Sequence, residues 1–91
     1  MRTGLETPKE LAASVALRFK QLRRRKKISV RELSLRSGVG NSTIRRFEAT
    51  GEIAFLSLIK IASVLNEEEE LADLFSRVKP ASIEEVIHGA G

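Results

Sequence analysis

The side chains best suited to recognition chemistry lie close together, between residues 41 and 46 of this 91-residue chain. A helical repeat turns Ile44 and Phe47 to one side of this stretch and a polar, basic side outward. The outward members are Asn41, Ser42, Arg45 and Arg46. A guanidinium bonds bidentately to O6 and N7 of guanine, and a carboxamide bonds in the same way to N6 and N7 of adenine. These residue types therefore favour the reading of base edges in duplex DNA.

Other kinds of chemical site have little support in the sequence. The chain has no Cys and a single His, His88, so a disulfide framework, thiolate ligation and a histidine metal site are not expected. The acidic run 67–70 is a local cluster, and the positive end of a helix dipole explains it. There is neither a paired catalytic constellation nor a Gly-rich phosphate loop. We therefore predict no enzyme activity, no catalytic residue, no metal and no cofactor.

Charge is divided unequally along the chain. Residues 1–50 hold 13 Lys and Arg against 4 Asp and Glu, a balance of +9, whereas residues 51–91 hold 3 against 8, a balance of −5. A basic half is the electrostatic footprint of a nucleic-acid-binding protein. The acidic half is expected to face away from phosphate. The alternative is two solvated faces of opposite sign.

Length and hydropathy predict one small cytosolic domain. No apolar run approaches the roughly 18 residues that span a bilayer, and the first ten residues, MRTGLETPKE, lack the apolar run of a signal peptide. In a chain of 91 residues a ligand-sensing second domain is not expected. A chain this short buries a modest core, so oligomerisation is a common source of added stability.

Five helices are expected to position the polar face, and strand-like alternation is hard to find. We predict an all-α, compact five-helix bundle over residues 9–78, an N-terminal tail over 1–8, and a C-terminal tail over 79–91 that contacts a dimer or partner. The predicted helices are Lys9–Lys26, a second beginning after Ser29, Asn41–Ala49, Phe55–Leu65 and a fifth opening with Glu67–Glu70.

Local signals set several of these boundaries. Ser29 with Glu32 has the spacing of a capping box, and Gly38 suits the left-handed residue that ends a helix. The fourth helix is apolar nearly all round, which predicts that it is the buried centre of the bundle. The run 23–27 is denser in cations than helix capping requires, so some of them are expected to face phosphates.

The span Val15–Phe75 resembles the phage-repressor and Cro-type helix-turn-helix, the XRE family. The resemblance rests on a basic first helix, then SVRELSLRSGVGNSTIRRFE, then LIKIASVLN. The pattern E-L-S-x-x-S-G-V-x-x-S-T-I-x-x-x-E is specific because helix length, turn glycine and inward apolar positions must all coincide. The resemblance implies a five-helix fold that binds DNA as a dimer, with the third helix in the major groove. It also implies a location in the bacterial cytoplasm, associated with the nucleoid.

Residue roles follow from the same resemblance. Asn41, Ser42 and Arg46 occupy the base-reading positions, and Thr43 and Arg45 flank them, within reach of phosphates or base edges. The alternative for the two arginines is a solvated helix face. A further implied feature is a structural pair between Arg23, near the end of the first helix, and Glu48, at the end of the third.

The chain departs from the family pattern at three places. Val30 stands where the family has a phosphate-contacting Gln, Gly40 where it has a Ser or Thr cap, and Glu52 in a loop that is commonly Asn-rich or basic. Fewer phosphate contacts are therefore expected from Val30 and from that loop. The residues expected to supply them instead are Ser29, Arg24, Lys26 and Lys27.

One recognition helix covers only a few base pairs, so two copies on a palindromic operator are expected, with half-sites about one helical turn apart. The apolar stripe Leu71, Leu74 and Phe75 is the predicted homodimer interface, with residues 83–87 as a further contact. The alternative is that the fifth helix only covers its own core.

Small proteins of this shape resemble three groups: antitoxins, small phage repressors and restriction–modification controllers. The run TGEIAFLSLIKIASVL looks most like antitoxins encoded beside HipA-like kinase toxins. We therefore expect a transcriptional repressor that regulates its own operon and binds the toxin away from the DNA surface. A helical adaptor that has kept the fold without binding DNA is the alternative from another class.

Overall fold

The computed structural model describes residues 6–77, which form five α-helices and no strand. The all-α prediction is confirmed. The helices are α1 Pro8–Arg25, α2 Val30–Ser37, α3 Asn41–Thr50, α4 Phe55–Val64 and α5 Glu68–Ala72. The C-terminal tail, with its segment 83–87 and the single histidine, lies outside the described residues, as do residues 1–5 of the N-terminal tail.

The first two helices begin at different kinds of cap. At α1, Thr7 Oγ1 accepts a hydrogen bond from the Glu10 N–H (3.0 Å), and Glu10 Oε1 accepts one from the Thr7 N–H (2.9 Å). This complete capping box starts the helix at Pro8, one residue earlier than predicted. At α2, the Ser29 hydroxyl accepts from the Glu32 N–H (3.0 Å). The predicted second half of that box is wrong, because the Glu32 carboxylate accepts from Arg36 (3.2 Å).

A left-handed glycine joins α2 to α3. Gly38 has φ +79°, and its N–H donates to the carbonyl of Ser34 (2.9 Å), as the sequence predicted for the end of α2. Val39 then turns inward and is buried. Gly40 caps α3 from extended backbone with no side-chain hydrogen bond, so the length of this turn is set by backbone geometry.

The core lies beneath α3. Phe47 is 2% exposed, and its ring meets Phe19 of α1 edge to face, with ring centroids 5.4 Å apart. Such aromatic pairs add to the stabilisation that apolar burial supplies. The buried apolar residues are Ala16, Val30, Leu33, Val39, Ile44, Phe47, Ile61, Ala62 and Leu65. The inward positions predicted for α3, Ile44 and Phe47, are therefore confirmed.

The prediction that α4 forms the buried centre is wrong for its first turn. Phe55 and Leu56 are 56% and 62% exposed, whereas Ile61 and Ala62 are buried. The helix packs against α2 and α5, and its buried residues belong to its second half. Hydrophobicity all round the helix therefore does not place it in the middle of the bundle.

The fifth helix is shorter than the sequence predicted. Asn66 has a left-handed conformation (φ +60°) before α5, and the helix ends at Ala72. The Leu74 N–H bonds three residues back to Leu71, and Phe75 has φ +62°, which stops the helix. Leu71 is half-buried, Leu74 is exposed and Phe75 is 99% exposed. The single helical stripe predicted for these three residues is therefore wrong, although two of them remain available at the surface.

The turn after α3 is crowded against α1. Gly51 has φ +87°, and a Cβ atom added to it would lie 2.5–2.7 Å from backbone and side-chain atoms of Ala12. Gly38 also has positive φ, but a Cβ atom added there meets nothing within 4 Å. A substitution at Gly38 therefore tests backbone strain alone, whereas a substitution at Gly51 tests strain together with steric overlap.

We expect Gly51→Ala to lower the free energy of unfolding by about 2–4 kcal/mol, since it combines left-handed strain with overpacking against α1. Gly38→Ala, the matched control, should cost only the strain, about 1–2 kcal/mol. Urea titrations followed by circular dichroism measure both. Equal losses in the two variants would show that α1 gives way at Ala12.

Candidate nucleic-acid interface

The outer face of α3 is exposed and polar along its length. The predicted base-reading and flanking residues all lie on it, each with an exposed side chain: Asn41, Ser42, Thr43, Arg45 and Arg46. On the opposite face Ile44 and Phe47 are buried. A helix with one face fixed in the core cannot rotate without exposing these apolar side chains, so the polar face has a defined direction.

Neighbouring helices hold α3 from two sides. It packs against α1 along its length and against α2 across the turn at Gly38. Val30, at the start of α2, is buried, and its side chain carries no polar atom that could bind a phosphate. The departure from the family pattern at this position thus has a packing role in the fold.

A two-pronged ion pair ties α3 to the end of α1. Arg23 donates from Nε to Glu48 Oε2 (2.7 Å) and from Nη2 to Glu48 Oε1 (2.9 Å). Its Nη1 donates to the carbonyl of Ile28 (2.8 Å), in the loop before α2. The two side chains are only 9% and 6% exposed. The Arg23 guanidinium therefore fixes α1, α3 and the loop before α2 relative to one another. This structural role differs from the phosphate contacts predicted for the cations that follow it.

The other cations of the basic run point in different directions. Arg24 and Lys27 are exposed, and Lys27 has a left-handed backbone with φ +61°. The Lys26 ammonium instead donates to the carbonyl of Leu65 (2.6 Å) and lies 3.5 Å from Glu67 Oε2. It thereby joins the end of α1 to the end of α4, where a cation is favoured by the last carbonyls. A phosphate contact by Lys26 stays a prediction, and it would require this bond to be exchanged.

Two contacts at the interface were not predicted from the sequence. The Arg46 guanidinium donates from Nη2 to Glu52 Oε1, across the turn that follows α3. Thr50 Oγ1 donates to the carbonyl of Arg46 (2.8 Å) and accepts from the Glu52 N–H (3.1 Å). The only sequence signal was opposite charge six residues apart. Helical spacing gives no reason to join the two residues, because the turn lies between them.

The same region carries no sign of a different chemistry. Within residues 6–77, His, Cys, Asp and Glu side chains nowhere gather in a group of three that could hold a metal ion. Nor is any helix in that range long and apolar enough to cross a membrane.

A family model described as helix-turn-helix matches residues 19–72. The chain belongs to the XRE-type helix-turn-helix family. The match covers more than half of the chain and includes α2, the glycine turn and α3. Comparison with curated proteins and with solved structures gave no match. The protein is therefore a DNA-binding regulator, from a family that is generally non-enzymatic, and the predicted resemblance is confirmed at the level of the family.

The buried pair leads to a stability prediction. Glu48→Ala leaves the Arg23 guanidinium buried with only the Ile28 carbonyl, so we expect unfolding to become easier by about 3 kcal/mol. Glu32→Ala is the matched control, because it breaks the exposed pair with Arg36 and should cost less than about 1 kcal/mol. Thermal and urea unfolding measure both variants. A Glu48→Ala melting temperature equal to that of the wild type would contradict the positioning role.

Proposed function

We propose that this protein is a sequence-specific transcriptional repressor that reads its operator with Asn41, Ser42 and Arg46. The single observation that carries the proposal is the outer face of α3, where exposed polar side chains stand over a buried apolar face in a family that binds DNA. Arg46 suits guanine and Asn41 suits adenine, each through two hydrogen bonds. Thr43 and Arg45 flank them toward phosphates or neighbouring bases.

Phosphate contacts fix the register of the helix on DNA without carrying sequence information. The proposed contributors are Ser29, Arg24 and Lys27, which are exposed around the start of α2. Lys26 is a weaker candidate because its ammonium already serves the end of α4. The Ser29 hydroxyl accepts the Glu32 N–H, and its own hydrogen remains suited to a phosphate oxygen.

The repressor is proposed to act as a homodimer on a palindromic operator. Two copies related by a twofold axis place two recognition helices about one helical turn apart. Exposed Leu74 and Phe75, with half-buried Leu71, support an interface at the end of α5. Leu71 and Leu74 also line an apolar groove of about 410 Å³ between α1, α4 and α5.

Binding tests the proposal directly. Duplexes selected from a random-sequence pool should bind wild-type protein, and Arg46→Ala should weaken that binding by about 1–3 kcal/mol and relax the preference at one base pair. Fluorescence anisotropy against scrambled duplexes measures the preference. Lys60→Ala removes a cation from α4 and should leave base preference unchanged. If no sequence is enriched from the pool, the helical adaptor becomes the better interpretation.

At the level of the operon, we propose an antitoxin that represses its own promoter and neutralises a HipA-like kinase toxin. The supporting features are the likeness of residues 50–65 to such antitoxins and the exposed carboxylates Glu68, Glu69 and Glu70 on α5. The alternative within the same family is a stand-alone phage-type or restriction–modification regulator.

The adjacent gene distinguishes these two regulators. If the protein is an antitoxin, co-expression with the neighbouring gene product should yield a stable complex in which kinase activity is suppressed. Arg46→Ala should leave that complex intact, because α5 rather than α3 is proposed to face the toxin. A neighbour without kinase activity, or one that does not co-purify, would contradict the antitoxin proposal and leave the repressor proposal standing.

A further inference from the structure

The loop after α3 holds an acidic side chain against the arginine proposed to read bases. Arg46 and Glu52 are 69% and 57% exposed, and they are joined through Nη2 and Oε1. Family members commonly use this loop for phosphate contact, whereas here it carries a carboxylate. A carboxylate beside a DNA-binding face repels phosphates and so weakens DNA binding. Glu52 is therefore expected to have a role that offsets this loss.

The position of Glu52 is fixed by the turn that carries it. Thr50 bonds both to the carbonyl of Arg46 and to the N–H of Glu52. Gly51 is pressed against Ala12, so the turn cannot move toward α1. The backbone of Glu52 is thereby held just after α3, and from there its carboxylate accepts a hydrogen bond from Arg46.

The contact leaves Arg46 able to read a base. A guanidinium has five N–H groups in a fixed fork, and the contact with Glu52 uses Nη2. The second hydrogen of Nη2, together with Nη1, suits a bidentate contact with guanine. A base edge can therefore be read while the carboxylate stays in place.

We infer that Glu52 is a specificity-determining residue that positions Arg46 and neutralises it toward phosphate; this inference rests on the proposed repressor function. Nonspecific binding depends on cations that meet phosphates. Because Arg46 is paired with Glu52, one cation of the recognition helix is withheld from nonspecific phosphate contacts. The Glu52 carboxylate also repels phosphates. The directional contact with a base is retained, so the ratio of specific to nonspecific affinity rises.

The test compares Glu52→Gln with wild type on two DNA probes: a duplex selected from a random-sequence pool and a scrambled duplex of equal length and composition. Removing the carboxylate should strengthen binding to the scrambled duplex and lower the affinity ratio about fivefold. The slope of log affinity against log salt on the scrambled duplex should steepen by about one, as one more cation engages phosphate.

Two controls separate pairing from net charge. Glu69→Gln removes the same charge from α5 and should leave the affinity ratio unchanged. In an Arg46→Ala background, Glu52→Gln should no longer alter the ratio, since the partner is absent. A fall in the ratio of equal size in Glu69→Gln would overturn the inference in favour of a general charge effect.

The outcomes distinguish this inference from the proposed function. If the wild-type protein discriminates between the two duplexes and Glu52→Gln preserves the ratio, the inference fails and the repressor proposal stands. If the wild-type protein binds the selected and the scrambled duplex with equal affinity, the proposed function fails and the role of Glu52 fails with it.

Discussion

The burial of Ile44 and Phe47 is the constraint on which the rest of the structure depends. Each contributes about 1.5–3 kcal/mol when removed from water, and both belong to a helix whose other face must stay in solvent. Rotation of α3 by one residue would exchange apolar for polar or charged side chains in the core. The direction of the polar face is thus a consequence of packing against α1, where Phe47 meets the ring of Phe19.

Apolar packing fixes which face of α3 is buried, but it does not by itself fix how the helix sits along α1. Directional contacts do that. Arg23 engages both oxygens of Glu48 and the Ile28 carbonyl, so its planar fork defines distance and angle together. Lys26 makes a comparable contact with the end of α4. Two cations three residues apart therefore connect the end of α1 to different helices, which explains why the roles of the basic run in DNA binding are expected to differ.

Structural features that depend on neighbouring residues in the chain could be predicted from the sequence, whereas features that depend on tertiary contacts could not. Helical periodicity identified the inward residues of α3, and the conformational freedom of glycine identified the end of α2 at Gly38. The early end of α5 and the exposed first turn of α4 were missed, because both depend on which neighbours are present in space. The contact between Arg46 and Glu52 was missed for the same reason, since a turn separates the two residues. The resemblance alone suggested Arg23 and Glu48 as partners, across 25 residues of chain.

Ion pairs reduce the positive charge that the basic half, residues 1–50, presents to phosphates. A balance of +9 over residues 1–50 suggests a strong attraction to phosphate. Within the described part of the chain, however, Arg23 and Arg46 are each matched by a carboxylate on or just after α3, and Lys26 is turned toward Glu67. The field at the α3 face is therefore weaker than the count of cations implies. For the proposed repressor, discrimination between sequences would therefore depend less on long-range attraction and more on the few side chains that the core and its ion pairs hold in place.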